Sequence, residues 1–161
     1  MSEAKLEQFV RESNLIEGID RKPKDYELEA HRRLLACDFL SLKSVEDFVF
    51  DICGKRLRRE PGMNVRVGPH VPRPGGPWIA IELEELLDRI NARDLPPFAA
   101  HVAYEKVHPF MDGNGCSGRA VWAWMILREG QNPYSLPFLH RWYYQSLDAS
   151  RPVNSGERVR A

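Results

Sequence analysis

Apolar residues recur at intervals of three and four positions along most of the chain, the spacing typical of helices with one buried face. Glycine or proline interrupts this pattern at several points, and these residues mark the ends of the elements. The predicted helices run from Ser2 to Ile16, from Pro23 to Phe39, from Ser44 to about Gly54, from Ile81 to Asn91 and from Leu95 to Val107.

The segment from Ala120 to Leu127 differs from these helices because it is apolar on every side. A helix of that kind is buried, so it is predicted to form the centre of the fold, and Gly130 and Pro133 end it. A last helix is predicted from Leu136 to Leu147, with its aromatic cluster of Trp142, Tyr143 and Tyr144 in the core.

The region between the third and fourth helices has a different composition. Residues Lys55 to Arg59 form a short basic run, interpreted as a solvated helix end. Val65, Arg66 and Val67 alternate as a strand does, and a turn rich in proline follows. The fold class predicted is therefore a single all-α domain, a bundle around a buried central helix, with one short β-hairpin.

Composition narrows the range of functions. The 161 residues include 23 basic and 23 acidic side chains, and this zero net charge argues against a nucleic-acid surface. The three cysteines are an odd number without CxxC spacing, which indicates reduced thiols in the cytoplasm. Neither a signal-peptide pattern nor a membrane span is predicted.

The polar segment from His108 to Arg119 lies directly before the central helix and contains Gly113, Gly115 and Gly118. Its position places it on a helix N-terminus, where unpaired backbone N–H groups and the helix dipole attract anions. Glycines allow the backbone to approach a phosphate closely. The alternative interpretation is a glycine-rich turn that caps the helix, with a solvated His108.

Phosphoryl or nucleotidyl transfer is the chemistry that this segment suits. His108 titrates near neutral pH and is the predicted general base. Asp112 is the predicted ligand of Mg²⁺, because a hard cation needs few protein ligands when phosphates supply the rest. Arg119 can pair with a terminal phosphate. The predicted nucleotide-binding set is Gly113, Asn114, Gly115, Ser117, Gly118 and Arg119.

The same segment resembles the signature of the Fic (Fic/Doc) family, HPFx(D/E)GNGRxxR. The resemblance implies transfer of AMP from ATP, with Mg²⁺, to a Ser, Thr or Tyr hydroxyl of a target protein. It implies that His108 deprotonates that hydroxyl. It also implies that the predicted hairpin, Val65 to Gly68, is a flap over the site that docks the target backbone by strand addition.

A second segment, Ser13 to Gly18, is similar to the inhibitory motif (S/T)xxxE(G/N) of many Fic proteins. The resemblance implies that Glu17 pairs with Arg119 and keeps the γ-phosphate of ATP out of position. The expected organisation is an inhibitory helix over residues 1–22, a catalytic domain over 23–148 and a polar tail over 149–161.

Cys116 is the one departure from the family signature, because it stands where an arginine usually helps to hold the polyphosphate. Two alternatives therefore stay open, a different phosphate donor or a non-catalytic nucleotide-binding module. The resemblance leaves a third, an enzyme that removes AMP, because some Fic relatives use the motif Glu to orient water. A nucleophilic role for Cys116 ranks below these. The sequence predicts neither the target protein nor the oligomeric state.

Overall fold

The computed structural model describes residues 2–67 and 71–133. Within these ranges the regular structure consists of helices without a sheet, so the predicted all-α class is confirmed. The helices are α1 (Glu3–Ile16), α2 (Asp25–Ala36), α3 (Leu42–Cys53), α4 (Trp78–Asn91), α5 (Pro97–Val107) and α6 (Asn114–Arg128).

The apolar helix α6 lies at the centre, as its sequence predicts, and contacts α1, α2, α3 and α5. Its residues from Ala120 to Ile126 are all buried. One side of α6, including Val121 and Trp124, joins the main core formed by α2 to α5. The opposite side, with Trp122 and Ile126, packs in a separate, smaller cluster against α1.

Helix α1 is attached to the bundle mainly through this smaller cluster. Its apolar side chains Leu6, Phe9 and Val10 are buried there. Burial of each such side chain contributes roughly 1.5–3 kcal/mol. An isolated helix of 14 residues is marginal in water, so these contacts decide whether α1 stays folded against the domain.

Two helices, α3 and α4, start earlier than predicted, whereas α1, α2 and α5 start one or two residues later. Helix α3 begins at Leu42, because the Ser41 hydroxyl accepts the Ser44 amide and the Ser44 hydroxyl accepts the Ser41 amide. Ser44 is thus the third helical residue and not the cap. Helix α4 begins at Trp78, directly after Pro77, because proline fits the entry of a helix.

The β-hairpin predicted at Val65 to Gly68 is not found in the described residues, where the segment from Met63 to Arg66 has no regular structure. Pro69, Pro72 and Pro74 remove three of the backbone donors that a ladder needs. Carbonyls on both sides of the segment, those of Met63 and Arg73, accept hydrogen bonds from a side chain instead.

The predicted last helix and the polar tail lie outside the described residues. In the ranges that the structure does describe, no helix combines the length and the apolar character that crossing a membrane requires.

Candidate functional site

His108 lies at the C-terminus of α5, in the left-handed region with φ of 48°. The helix stops here because proline follows, and a residue before proline is disfavoured in the right-handed helical region. Its amide still donates to the Tyr104 carbonyl at 2.9 Å. A non-glycine residue in this conformation costs on the order of 1–3 kcal/mol, so the surrounding contacts must hold it.

The side chain of His108 is mostly buried, and its Nδ1 lies 4.0 Å from a carboxylate oxygen of Glu105, one turn earlier on α5. A carboxylate at this distance favours the imidazolium form that a general base produces when it accepts a proton. Glu105 also lies against Gly118 of α6, where an added Cβ would approach its Oε1 to 2.8 Å.

The loop after His108 is fixed by Asn114. Its side-chain oxygen accepts the Phe110 amide at 2.8 Å, and its side-chain nitrogen donates to the Phe110 carbonyl at 2.9 Å. Phe110 is itself fully buried and forms an isolated antiparallel bridge with Leu57. Asn114 thus holds the shape of the loop, whereas the sequence had suggested direct contact with phosphate.

The first turn of α6 lies where the sequence predicts an anion site. Gly113 precedes it with φ of 80°, a conformation that favours glycine, and a Cβ there would come within 2.8 Å of Cys53 Sγ. The backbone N–H groups of the first helical residues have no partner within the helix. A phosphate bound at the N-terminal end of this turn can accept hydrogen bonds from them.

Two residues of the predicted nucleotide-binding set face the inside of the protein instead. The Ser117 hydroxyl is buried, donates to the Gly113 carbonyl at 2.8 Å and accepts from Tyr104. Gly118 lies against α5, where a Cβ would come within 3.1 Å of the buried His101. Both positions join α5 to α6, and the hydrogen bonds of the Ser117 hydroxyl are used within the protein.

Asp112 is exposed at the end of the loop, and one of its carboxylate oxygens accepts the Gly113 amide at 2.7 Å. The described residues include no group of three His, Cys, Asp or Glu side chains able to hold a metal by themselves. A single carboxylate fits Mg²⁺, which keeps most of its ligands as water and phosphate oxygen.

Arg119 is 0% exposed and lies between α6 and α1. Its Nη2 donates to Glu17 Oε1 at 2.6 Å and to the Ser13 carbonyl at 3.0 Å, and its Nε donates to the Ser13 hydroxyl at 2.9 Å. The predicted inhibitory motif and the predicted anion site, whose Glu17 and Arg119 are 102 residues apart, are thus in direct contact. The Glu17 side chain stays 35% exposed, so solvent reaches one partner of the pair.

Gly115 allows this contact. A Cβ at position 115 would overlap the Glu17 carboxylate and come within 2.9 Å of Arg119 Nη1. The glycine of the loop therefore has a role in addition to the approach of phosphate that its sequence position predicted. It also lets a side chain from α1 lie against the first turn of α6.

Cys116 lies beside the same pair, with its Sγ 3.4 Å from Arg119 Nη2 and 3.8 Å from the Ser13 hydroxyl oxygen. Burial raises the pKa of its thiol, and this effect outweighs the opposing effect of the Arg119 charge. The thiol is therefore protonated at neutral pH, which argues against a nucleophilic role.

A cavity of about 210 Å³ opens next to this thiol. Three carboxylates border it, those of Glu17, Glu27 and Asp112, together with the Cys116 side chain. An arginine at position 116 would bring a positive charge to this wall. With cysteine there, position 116 adds no positive charge, although Glu17 and Glu27 are each already paired with an arginine.

Glu27 is a residue that the sequence interpretation missed. It is buried at the start of α2 and accepts hydrogen bonds from Asn14, Arg21 and the Lys24 amide. Burial acts to raise its pKa, but these bonds outweigh that effect and the pKa lies below its ordinary value. Because Asn14 is in the last turn of α1, Glu27 fixes the end of α1 next to Glu17. A Glu three residues after a helix start is the one signal that could have found it.

Arg58 is the second missed residue. Predicted to be solvated, it is 0% exposed, and the run from Lys55 to Arg59 is not a helix end, because α3 already stops at Cys53. Its Nε donates to the His108 carbonyl at 2.8 Å. The buried Leu57 beside it was the only sequence feature that set this run apart from a solvated one.

Comparison with known proteins agrees with this geometry. The model of the Fic/DOC family matches residues 28–126, which is more than half of the chain and includes the loop from His108 to Arg119. The chain belongs to the Fic/DOC family. The matched range begins after α1, so the predicted inhibitory segment lies outside the part that the Fic family model describes.

Individual Fic relatives extend the similarity to most of the chain. The chain is 31% identical over 139 residues to the Protein adenylyltransferase Fic of Drosophila willistoni, a match covering 82% of this chain and 25% of the relative. It is 33% identical over 143 residues to that of Drosophila yakuba, covering 84% and 26% respectively. The chain therefore spans about a quarter of these relatives.

Proposed function

We propose that this chain is a protein adenylyltransferase that transfers AMP from ATP to a Ser, Thr or Tyr hydroxyl of a target protein, and that Glu17 restrains it. The observation that carries the proposal is the Glu17–Arg119 pair at the N-terminus of α6, where a bound polyphosphate would lie. The name of the Fic relatives, protein adenylyltransferase, supports the reaction type.

In the proposed reaction, the target hydroxyl loses its proton to His108 as its oxygen attacks the α-phosphorus of ATP. The bond between the α-phosphorus and the bridging oxygen breaks, and pyrophosphate leaves. The backbone N–H groups at the start of α6 stabilise the charge that develops on the phosphate oxygens. Glu105 stabilises the imidazolium that His108 becomes.

Asp112 would hold Mg²⁺, which when bound neutralises charge on the leaving phosphates. The carboxylate has a position suited to this, because it is exposed at the edge of the cavity bordered by Cys116. Mg²⁺ held there would also bring positive charge to a cavity wall that has a cysteine in place of the usual arginine.

The restraint follows from the contacts of Arg119. Its three hydrogen bonds to Ser13 and Glu17 of the α1 segment use the guanidinium donors that a γ-phosphate would need, and ATP must displace the Glu17 carboxylate to reach them. We therefore assign residues 1–22 as an inhibitory segment and 23–148 as the catalytic unit.

The segment from Val65 to Gly68 is the proposed docking site for the target. The three free thiols suit a protein of the cytoplasm.

Cys116 favours a second candidate, a non-catalytic or altered-donor nucleotide-binding module. Loss of a charge-assisted bond to phosphate weakens binding by about 1.5–3 kcal/mol. A third possibility uses the same Glu17 carboxylate to orient water and remove AMP from a modified protein. Its partial exposure allows a water molecule beside it.

Intact-mass measurement of the purified protein separates these candidates. Incubated with ATP and Mg²⁺ in the Glu17→Gly background, the protein should gain the mass of AMP by self-modification. His108→Ala should reduce the rate by about 10²–10⁴-fold, because the general base is removed. Asp112→Ala should abolish the dependence on Mg²⁺ together with the activity.

Two results would contradict the proposal. If His108→Ala gains AMP at the parental rate, His108 is not the base. If no variant gains AMP although calorimetry shows that ATP binds, the module is non-catalytic or uses another donor.

A further inference from the structure

Arg58 is a large, fully buried cation that the proposed reaction does not use. Burial lowers its pKa, and this effect outweighs the opposing effect of the Glu82 carboxylate. In the described residues its guanidinium has no carboxylate partner within ion-pair distance. A buried charge in this position must be satisfied by dipoles.

Four backbone carbonyls supply these dipoles. Nε and Nη2 donate to the carbonyls of His108 and Val107, at 2.8 and 3.1 Å. Nη1 donates to the carbonyls of Arg73 and Met63, at 2.9 and 3.2 Å. The last carbonyls of α5 lack helical partners and carry the negative end of the helix dipole, so a guanidinium fits there.

The backbone of Arg58 is fixed to the same loop. Its amide donates to the Pro109 carbonyl at 2.9 Å, and its carbonyl accepts the Gly76 amide at 2.9 Å. On one side of it Leu57 pairs with Phe110, and the Met111 amide donates to the Arg56 carbonyl. Arg58 therefore cannot move without moving the loop that begins at His108.

We infer that Arg58 is a positioning residue for His108, and that it also sets the distance between His108 and the segment from Met63 to Arg73. One planar guanidinium bonds the carbonyl of the proposed general base and the carbonyls of Met63 and Arg73, which lie on either side of the proposed docking segment. It thereby holds the left-handed turn at His108 and couples the base to the place where the target hydroxyl arrives. This inference rests on the proposed role of His108 as the general base.

The geometry explains why a guanidinium is needed at this position. Its donors point in several fixed directions in one plane, whereas a lysine ammonium offers three donors from a single atom. Lysine can reach one pair of carbonyls but not both. We therefore expect the Arg58→Lys variant to be less active than the parent and more active than Arg58→Met.

The test measures self-modification by AMP in the Glu17→Gly background, as initial rate against ATP concentration, together with ATP binding by calorimetry. Arg58→Met should reduce the rate at saturating ATP by about ten- to hundredfold, since small displacements of a catalytic group have effects of that size. The KM for ATP and the calorimetric Kd should change by less than about twofold. Arg58→Lys should lie between Arg58→Met and the parent. The neighbouring Arg59→Met is the matched control, because Arg59 is exposed and paired with Glu46 at the surface, and it should leave the rate unchanged.

The outcomes separate this inference from the proposed function. If Arg58→Met and Arg58→Lys both keep the parental rate while His108→Ala has lost activity, the positioning role is wrong and the base assignment stands. If ATP affinity falls in parallel with the rate in either variant, Arg58 is merely structural and the inference is overturned. If Arg58→Met does not fold, Arg58→Lys alone decides. A lower rate with an unchanged Kd supports the positioning role, and an unchanged rate or a parallel loss of ATP affinity overturns it. If His108→Ala is as active as its parent, the proposed function fails first.

Discussion

Two buried arginines lie at the two ends of the loop between α5 and α6, and the protein satisfies them in different ways. Among the described residues, Arg58 donates to main-chain carbonyls, contributed by α5 and by Met63 and Arg73. Arg119 donates to Ser13 and to a carboxylate of the α1 segment that remains partly exposed. The first set of partners cannot leave without unfolding, whereas the second can leave with one helix.

The hydrophobic clusters behind the two arginines follow the same division. Leu57 and Phe110, next to Arg58, belong to the main core. The helix that supplies the partners of Arg119 rests on the smaller cluster of Leu6, Phe9 and Val10 against Trp122 and Ile126. The permanent contact, that of Arg58, thus rests on the main core, and the exchangeable contact, that of Arg119, rests on the smaller cluster. This difference fits the proposed autoinhibition, in which Arg119 should change partners and Arg58 should not.

The largest effect is expected from weakening the small cluster. Phe9→Ala removes a buried ring and should lower the free energy of unfolding by about 3–5 kcal/mol if α1 unfolds together with the domain. If α1 instead separates from the domain alone, the decrease in the free energy of unfolding is no larger than the free energy with which α1 docks, and AMP transfer increases. The comparison predicts the second result. Urea unfolding and the self-modification rate, measured on the same preparation, check it.

Val49→Ala is the matched control for Phe9→Ala, because Val49 is fully buried in the main core and does not belong to the α1 cluster. It should lower stability without raising the transfer rate. An equal rise in both variants would mean that general loosening activates the protein, and that α1 has no special role.

A smaller effect concerns pH. His31, which contacts Phe9 of α1 edge-on, and His101, in α5, each have a pKa lowered by burial to about 4. Below pH 6.5 the unfolded state takes up a proton at each site before the folded state does. The free energy of unfolding should therefore fall as pH drops from 6.5 to 4, by at most roughly 3 kcal/mol for each residue.

Removing one of the two histidines should reduce this slope. His31→Gln should lose its share of the decrease, which urea titrations at pH 7 and pH 5 can measure. A free energy of unfolding that is the same at pH 7 and pH 5 in the parental protein would contradict the conclusion that burial lowers both pKa values.

The sequence predicted the helices well because their signals are local. The apolar run after Arg119 could only be a buried helix, and Pro109 had to end α5 at His108. The contact between Glu17 and Arg119 could be expected only through the family resemblance, because nothing in the spacing of the chain places α1 on α6.

What the sequence could not predict depends on partners distant in the chain. Arg58 is indistinguishable from its solvated neighbours Arg56 and Arg59 until the carbonyls of Val107 and Met63 are seen around it. Asn114 and Ser117 are polar residues in a glycine-rich segment, and their polarity alone suggested that they contact a ligand. Only the fold shows that they bond the loop and the helices. The hairpin, which the described residues do not support, was predicted from the Val-x-Val alternation, although the prolines around it cannot donate to a ladder.

The restraint of the enzyme by α1 is tested most directly by the initial rate of AMP transfer, at saturating ATP and Mg²⁺, in the parental protein, Glu17→Gly and Glu17→Gly with Arg119→Ala. Glu7→Gln, which changes an exposed carboxylate on the same helix, serves as the control. Glu17→Gly should raise the rate about tenfold or more, because a charge-assisted contact of about 1.5–3 kcal/mol no longer competes with the γ-phosphate. Arg119→Ala should cancel the gain, and Glu7→Gln should change nothing. A rate in Glu17→Gly equal to the parental rate would contradict the claim that α1 restrains the enzyme through Arg119.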